Sequence, residues 1–475
     1  MSINKFIRLI LKHSKLIIAT TIAITVFLGW KALGIGINTD VNTLMPSENE
    51  RINKIKTDLG VDKEVLNYMY LSIYGSDIYN LETLGLYQDT IDKVLALPEI
   101  ETVISPFNFI FFQSDAKRII PTTISPTGRA PLTEEELEIF SKRVKDNTLS
   151  KNFVVGDNGR ILTAVFIGTA VNSADNFIAA FNAAIGPLKK ATNVHYSGEV
   201  AFQERVAFYL LKDFSNLLKL AVFAMLAIFG LSFRSLRAII LPILVVVMGA
   251  VWTLGVMAII GFKITVLTVV IPSMVLAIGS SYTIHILNEY FRIGREAGMD
   301  KITWLTDAVE HVLKTVIVAA LTTVISFMSL LTTTLQPLRE FGLAISLGIF
   351  FCAVLALFFL PAVFCILKAP SLHHKKRVSE GRLTRTVSHL GLWAHHSSGI
   401  VLGFFILLMA LFLFCYPYIQ HQSDYFSYFP ANDSLITSSR FINEHSGGSQ
   451  TLNLTLKAAN GQKNFFLDPE ILKKI

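Results

Sequence analysis

At 475 residues the chain is 52% hydrophobic and only 16% charged, and with a mean hydropathy of +0.52 it carries too few charges for an ordinary soluble globular protein, so a membrane protein is the leading class. The formal net charge of +7 and the pI near 9.1 do not point to nucleic acid, because the basic residues cluster beside apolar runs, where they act as topology determinants. Cys352, Cys365 and Cys415 all fall inside apolar stretches, so neither a disulfide framework nor a thiolate metal site is indicated.

Residues 1–35 read as a cytoplasmic leader followed by a first span at 16–35, with the roughly 20 apolar residues a bilayer crossing needs. Lys5, Arg8, Lys12 and Lys15 precede it as a signal-peptide n-region would, but no clear small-residue cleavage site follows, which predicts a retained anchor. Residues 36–215 form a large insertion with strands predicted at 65–74, 101–105, 161–169 and 194–198. Helices are predicted between them at 81–97, 134–146 and 176–191, and a Pro/Thr/Gly-rich loop at 121–132. Two β-α-β-like units imply a ferredoxin-like α+β domain, after which an amphipathic segment, 202–219, leads into the second span.

Residues 216–368 hold five spans, at 217–233, 238–260, 264–287, 316–334 and 341–367. Between the fourth and fifth, residues 298–314 place Ile302, Leu305, Val309 and Val312 at helical spacing, which predicts a connecting helix along the membrane surface. A basic linker, 369–397, contains His373, His374, Lys375, Lys376 and Arg377 and reads as a topology-setting loop rather than a metal site. Residues 398–420 contain the seventh span, and residues 421–475 begin a second domain.

The Lys/Arg distribution puts the N-terminus, the turn at 232–237, the loop with Arg292, Arg295 and Lys301, and the linker from Lys368 on the cytoplasmic side. The insertion is then extracytoplasmic.

The first 75 residues and those after 385 follow one plan: a basic, His/Ser-containing leader, a span, and a patterned exit. The exits TDVNTLMPSEN and SDYFSYFPAND keep Asp40 to Pro46 and Asp424 to Pro430 at identical spacing. An alternating segment follows each, VLNYMYLSIYG from Val65 and TLNLTLKAANG from Thr451. The expectation is one complete repeat and only the start of a second.

One anchor, a large α+β domain, five further spans and a repeat of the plan resemble the resistance-nodulation-division (RND) superfamily. Within it the chain looks most like the MMPL exporters and their relatives with Patched-like, sterol-sensing-type bundles. The marks that carry the likeness are the Asp-to-Pro exits, the fourth-span segment AIGSSYTIHILNEY at 277–290, and LREFGLAISLGIF followed by LPAVF at the sixth span. In that family the fourth span typically carries Gly-x-Asp-Tyr, often with His three residues later. Gly279, Tyr282 and His285 match, but Ser281 stands where the acid should be. The resemblance implies that this is the segment where proton coupling takes place, and this half of the repeat carries no acid at that position.

On a helix, Ser273, Ser280, Ser281, His285 and Asn288 share one broad face with Tyr282 outside it, and in the fifth span Thr315, Thr322, Ser326 and Ser329 form a stripe. The expectation is that both point into the bundle and meet across a helix contact, where small hydroxyl residues allow close approach. For Ser280 and Ser281 two roles stand side by side: ordinary packing, or holding a water or cation or passing a proton. His285 is either a proton relay or an interfacial histidine.

No enzyme constellation competes, since Ser281 and His285 one turn apart in a span lack an oxyanion site, and no Gly-rich loop ends in Gly-Lys-Ser/Thr. The sequence therefore predicts a polytopic α-helical exporter of the inner membrane, without a cofactor or a metal. It would be driven by protons and act on lipids or another hydrophobic substrate. A homo-oligomer or a partner chain supplying a second half is an expected associate, and nucleic acid is not. The alternatives are a lipid- or sterol-sensing scaffold that does not transport, or a half-transporter.

Overall fold

In the computed structural model, residues 3–38, 67–115, 118–169, 174–233, 235–293, 301–367, 382–419 and 429–448 are described. The chain divides into two compact units, one of Met1–Asp62 with Val206–Ser423, the other of Lys63–Arg205 with Asp424–Ile475.

Seven helices among the described residues are long and apolar enough to cross a bilayer, and they coincide with the seven predicted spans. In the first unit the helices are α1 (Ile3–Lys12), α2 (Ser14–Ala32), and most of α6 (Glu199–Phe233). Then come α7 (Leu236–Ile260), α8 (Ile271–Ile293), α9 (Lys301–Met328), α10 (Gln336–Val354), α11 (Leu360–Ile366), α12 (Arg382–His396) and α13 (Ser398–Cys415).

The punctuation follows from local chemistry. Gly261, at φ +88°, closes α7 in the left-handed region that side chains avoid, and Pro337 opens α10, where a missing N–H costs nothing. A π turn at Leu355–Phe359 joins α10 to α11, just ahead of Pro361, whose ring cannot donate into the regular ladder. Beyond α2, Asn38 N donates to Ile264 O (2.8 Å) and Ile264 N to Gly36 O (2.8 Å), so the exit of the first span is tied to the α7–α8 turn. Trp252 Nε1 donates to Thr25 Oγ1 at 2.9 Å, a bond between α7 and α2.

The predicted surface helix at 298–314 is corrected: its described part, from Lys301 on, is the first half of α9, continuous with the fifth span. Leu305, Val309 and Val312 are buried in the bundle core alongside Ile7 and Leu11 of α1, so the apolar stripe is covered by the amphipathic N-terminal helix and its bundle neighbours rather than by lipid headgroups. By contrast α13 is apolar on every side and buries none of its residues within the described protein, as a helix surrounded by lipid would.

The second unit holds an antiparallel sheet with strand order β2-β6-β1-β7. Its strands and flanking helices run β1 (Asn67–Tyr74), α3 (Leu81–Leu95), β2 (Ile100–Ile104), β6 (Ile161–Gly168), α5 (Ala174–Ala191) and β7 (Asn193–Gly198). Between β2 and β6 come a hairpin, β3 (Ile110–Asp115) with β4 (Arg118–Thr123), then α4 (Glu134–Asp146) and the short β5 (Val155–Gly156), which pairs with β6. The hairpin is an addition to the prediction, and β4 takes the first residues of the stretch expected to be loop. Its signal was weak, because β3 is apolar at successive positions, as in Ile110, Phe111 and Phe112, instead of alternating.

One sheet face sends Met69, Leu71, Ile73, Leu162, Ala164 and Phe166 into a core shared with α3 and α5. The Tyr87 hydroxyl of α3 reaches across it to donate to Leu71 O at 2.7 Å. On the other face Tyr70 and Val165 pack with Ile442 of α14 (Ser434–His445). Asp433 caps α14 by accepting from Leu435 N at 2.9 Å, and its carboxylate pairs with Arg205 at 3.4 Å.

Candidate functional site

Gly279 decides how α8 sits. A Cβ there would come within 2.5 Å of Cys352 Sγ and 3.2 Å of Val246 Cγ1, so only glycine lets α8 approach α10 and α7 this closely. Gly249 on α7 meets the same Cys352 sulfur, and together the two glycines make a slot for one thiol. This orients the helix. Val275, Gly279, Tyr282 and Ile286, spaced along one side, are buried.

The polar residues fall on the other side. Ser281, His285 and Asn288 are exposed, Ser273 and Ser280 half-buried, while Tyr282 is only 2% exposed. The expectation that the polar face points into the bundle is therefore corrected: the described helices cover the face that carries Tyr282. The reason is packing. The small and aliphatic residues on the Tyr282 side fit the ridges of α7 and α10, whereas Ser281, about 100° around the helix, has no counterpart there.

The fifth-span stripe behaves alike, since Thr315, Thr322, Ser326 and Ser329 are exposed. Nor do the two stripes hydrogen-bond across a contact. Ser280 donates to Ala277 O (2.7 Å), Ser281 to Ile278 O (2.8 Å), Ser273 to Val270 O (2.7 Å), Thr322 to Val318 O (2.9 Å) and Ser326 to Thr322 O (2.8 Å), each within its own helix.

Tyr282 does face α9, beside Thr323. Its buried hydroxyl falls outside hydrogen-bond geometry with Thr323 and has no other partner among the described residues. Val324 lies on the opposite flank of α9, where its carbonyl accepts from Ser346 of α10 at 3.3 Å. With Thr323 against α8 and Val324 against α10, the exposed Thr322 and Ser326 border the outer side of the α8–α9 seam, the side on which Ser281 and His285 emerge. The stripes are thus neighbours along one outer polar surface, and do not interlock.

Glu289 is a residue the sequence reading passed over. It is the carboxylate of α8, 6% exposed, and it stands two turns beyond Ser281 and one beyond His285. The signal was present in the segment that ends Asn288-Glu289-Tyr290, but it lay past the end of the predicted span. Tyr290 beside it stacks on Phe364 (centroids 4.0 Å apart, planes at 13°) and leans on Trp304 (4.9 Å).

Of the exit motifs, Asp40, Pro46 and Asp424 lie outside the described residues, as do His373, His374 and the alternating segment from Thr451. Pro430 is described; its carbonyl accepts from Asp433 N at 3.0 Å in the turn that opens α14. Among the described residues no group of three or more His, Cys, Asp or Glu is placed to hold a metal.

Comparison with known proteins adds the following. The model of the family described as the MMPL family matches residues 46–399. A protein of Methanocaldococcus jannaschii, whose name assigns it to the membrane and says nothing more, is 22% identical over 363 residues, covering 74% of this chain and 90% of that protein.

Proposed function

The chain belongs to the MMPL family and is a multi-pass membrane protein, and on that premise we propose that it transports a lipid or another hydrophobic molecule out of the inner membrane, driven by protons. The observation that carries this reading is the outer polar surface along the α8–α9 seam. Ser281, His285, Asn288, Thr322 and Ser326 stand exposed on helices otherwise apolar enough to span a bilayer. Polar groups facing hydrocarbon are costly, so such a surface belongs against a water-filled path or another protein segment. On this reading Ser281 and Ser280 hold water or a cation at the seam, His285 takes up and releases the proton, and Tyr282 supports them from the buried side. Gly279, Ser273, Asn288, Thr322 and Ser326 shape the surface.

On the same reading the insertion at 36–215 between spans 1 and 2 is a ferredoxin-like extracytoplasmic domain, which the run β1-α3-β2-β6-α5-β7 supports, with the β3–β4 hairpin, α4 and β5 between β2 and β6 as an addition to that plan. The N-terminus, the basic linker at 369–397 and the turn before α7 are cytoplasmic on the same reading. The 216–368 bundle and the 398–420 span are its membrane part, and 421–475 opens the second domain of the repeat.

The alternative, a lipid- or sterol-sensing scaffold, is favoured by Ser281 standing in place of an acid. A half-transporter paired with a second bundle of the same kind is favoured by the exposure of the polar surface. Reconstitution into liposomes under an imposed proton gradient tests the first reading. Lipid movement is expected to follow the gradient and to fall at least tenfold in His285→Ala, with a smaller loss in Ser281→Ala, the order of effect seen for lost proton-transfer groups. Movement that ignores the gradient and is unchanged in both variants would overturn it.

A further inference from the structure

The sheet face under α14 differs in kind from the one under α3 and α5. It presents Ser72, Thr163 and Ser197, all buried, to Ser439 and Ser446. Ser197 Oγ and Ser439 Oγ lie 2.6 Å apart, Thr163 Oγ1 and Ser446 Oγ 3.4 Å, and α14 adds Leu435, Ile436 and Ile442 as buried aliphatic side chains, Ile442 between Tyr70 and Val165. The hydroxyl pairs exchange bonds to water for bonds to each other and add little net driving force to that aliphatic burial.

Its aromatic centre is a three-ring stack. His195 of β7 lies on Phe441 with centroids 4.0 Å apart and planes at 19°, and Phe441 lies on His445 at 4.5 Å and 20°. Tyr74 meets Phe441 edge-on at 5.2 Å. The His445 Nδ1 is spent on its own helix, 2.9 Å from Phe441 O. The His195 Nδ1 is buried without a hydrogen-bond partner among the described residues.

We propose that His195 and His445, on the two sides of Phe441, form an acid-operated latch that holds α14 on the sheet when neutral and releases it when protonated. Protonating His195 makes a cation whose buried Nδ1–H has no hydrogen-bond partner among the described residues, and a charge on His445 as well would set like charges on both sides of one ring. Burial, and then the neighbouring His445, hold His195 below its ordinary value of 6.5. An imidazolium over Phe441 would gain a cation–π attraction, and against it stand the lost hydration of the unpartnered Nδ1–H and the second imidazole across the ring. The docked state therefore prefers neutral His195, and docking weakens as the pH falls through about 6.5 and below.

Other charges do not reverse the sign. β1 has no ionisable acid or base apart from its tyrosines, and α14 contributes Arg440 and Glu444, both exposed. The Arg205–Asp433 pair sits at the start of α14, and Asp175, Lys189 and Lys190 belong to α5 on the opposite face of the sheet. Among the described residues neither imidazole is ion-paired with a carboxylate.

Hydrogen exchange of the full chain in lipid nanodiscs at pH 7.5 and 5.5, corrected for the intrinsic rate, tests the latch. Protection of 434–446 is expected to fall by up to about tenfold at pH 5.5, while that of β1 and β6 holds. His195→Gln and His445→Gln should each remove part of the dependence and the double variant nearly all of it. A Ser197→Cys/Ser439→Cys variant, oxidised to a disulfide, should keep α14 protected at both pH values. The latch is overturned if wild-type protection is the same at both, if the double variant keeps the dependence, if the sheet opens in step with α14, or if α14 is released while the disulfide is intact.

Discussion

Gly279 and Tyr282 matter for different reasons, although both belong to one fourth-span motif. Gly279→Ala forces a Cβ to within 2.5 Å of Cys352 Sγ and 2.8 Å of its Cβ, inside a slot that Gly249 closes from the other side. The expected cost is about 1–3 kcal/mol, read as a lower melting temperature in detergent, and Cys352→Ala in the same chain should recover part of it. Tyr282→Phe removes a buried hydroxyl that lacks a hydrogen bond, so stability should change by less than about 1 kcal/mol or rise slightly. Ser281→Ala, whose hydroxyl bonds within its own helix and is exposed, should leave stability within about 0.5 kcal/mol. A transport defect in that variant is then a loss of function and not of fold.

At the scale of elements, α14 is fixed at its start by chemistry that a single substitution removes. Asp433 both caps the helix and pairs with Arg205. Asp433→Ala should cost about 1–2 kcal/mol, and hydrogen exchange should show the loss in α14 with β1 unaffected. In the bundle, Thr25→Val strands the Trp252 indole N–H between α2 and α7 and should lower stability by about 1–3 kcal/mol. The same melting experiment reads it, and Trp252→Phe should cost less beside Thr25→Val than alone. The element the sequence misjudged shows what decides such cases. The stripe at 302–312 has the periodicity of a surface helix, and periodicity is silent on whether its cover is lipid or α1.

Across the whole molecule, exposure on a membrane helix has two meanings, and composition separates them. On α9 the exposed side divides into an apolar sector with Ile317, Leu321 and Ile325 and a polar one with Thr315, Thr322 and Ser326. Cysteines placed singly in native membranes should react with a water-soluble maleimide at Ser281 and Ser326 and stay unreactive at Leu321 and Ile325. Equal reactivity at all four, or the reverse order, would remove the polar surface as a path or interface. Shielding at Ser281 and Ser326 that detergent relieves would favour the reading in which a second bundle covers them.

The sequence by itself determined the seven spans and the alternation of strands and helices in the sheet unit. Both rest on length, composition and period, which each segment carries alone. It also determined the family, because Gly279, Tyr282 and His285 are visible as a motif. Only the tertiary structure decided that Tyr282 turns inward and Ser281 outward, since a helix has no inside until its neighbours are placed and the Cys352 slot chooses the face. The docking of α14 was likewise out of reach: Ser197 and Ser439 meet across 242 positions of sequence. No local pattern records such a contact, because it depends on surfaces that exist only after both elements have folded.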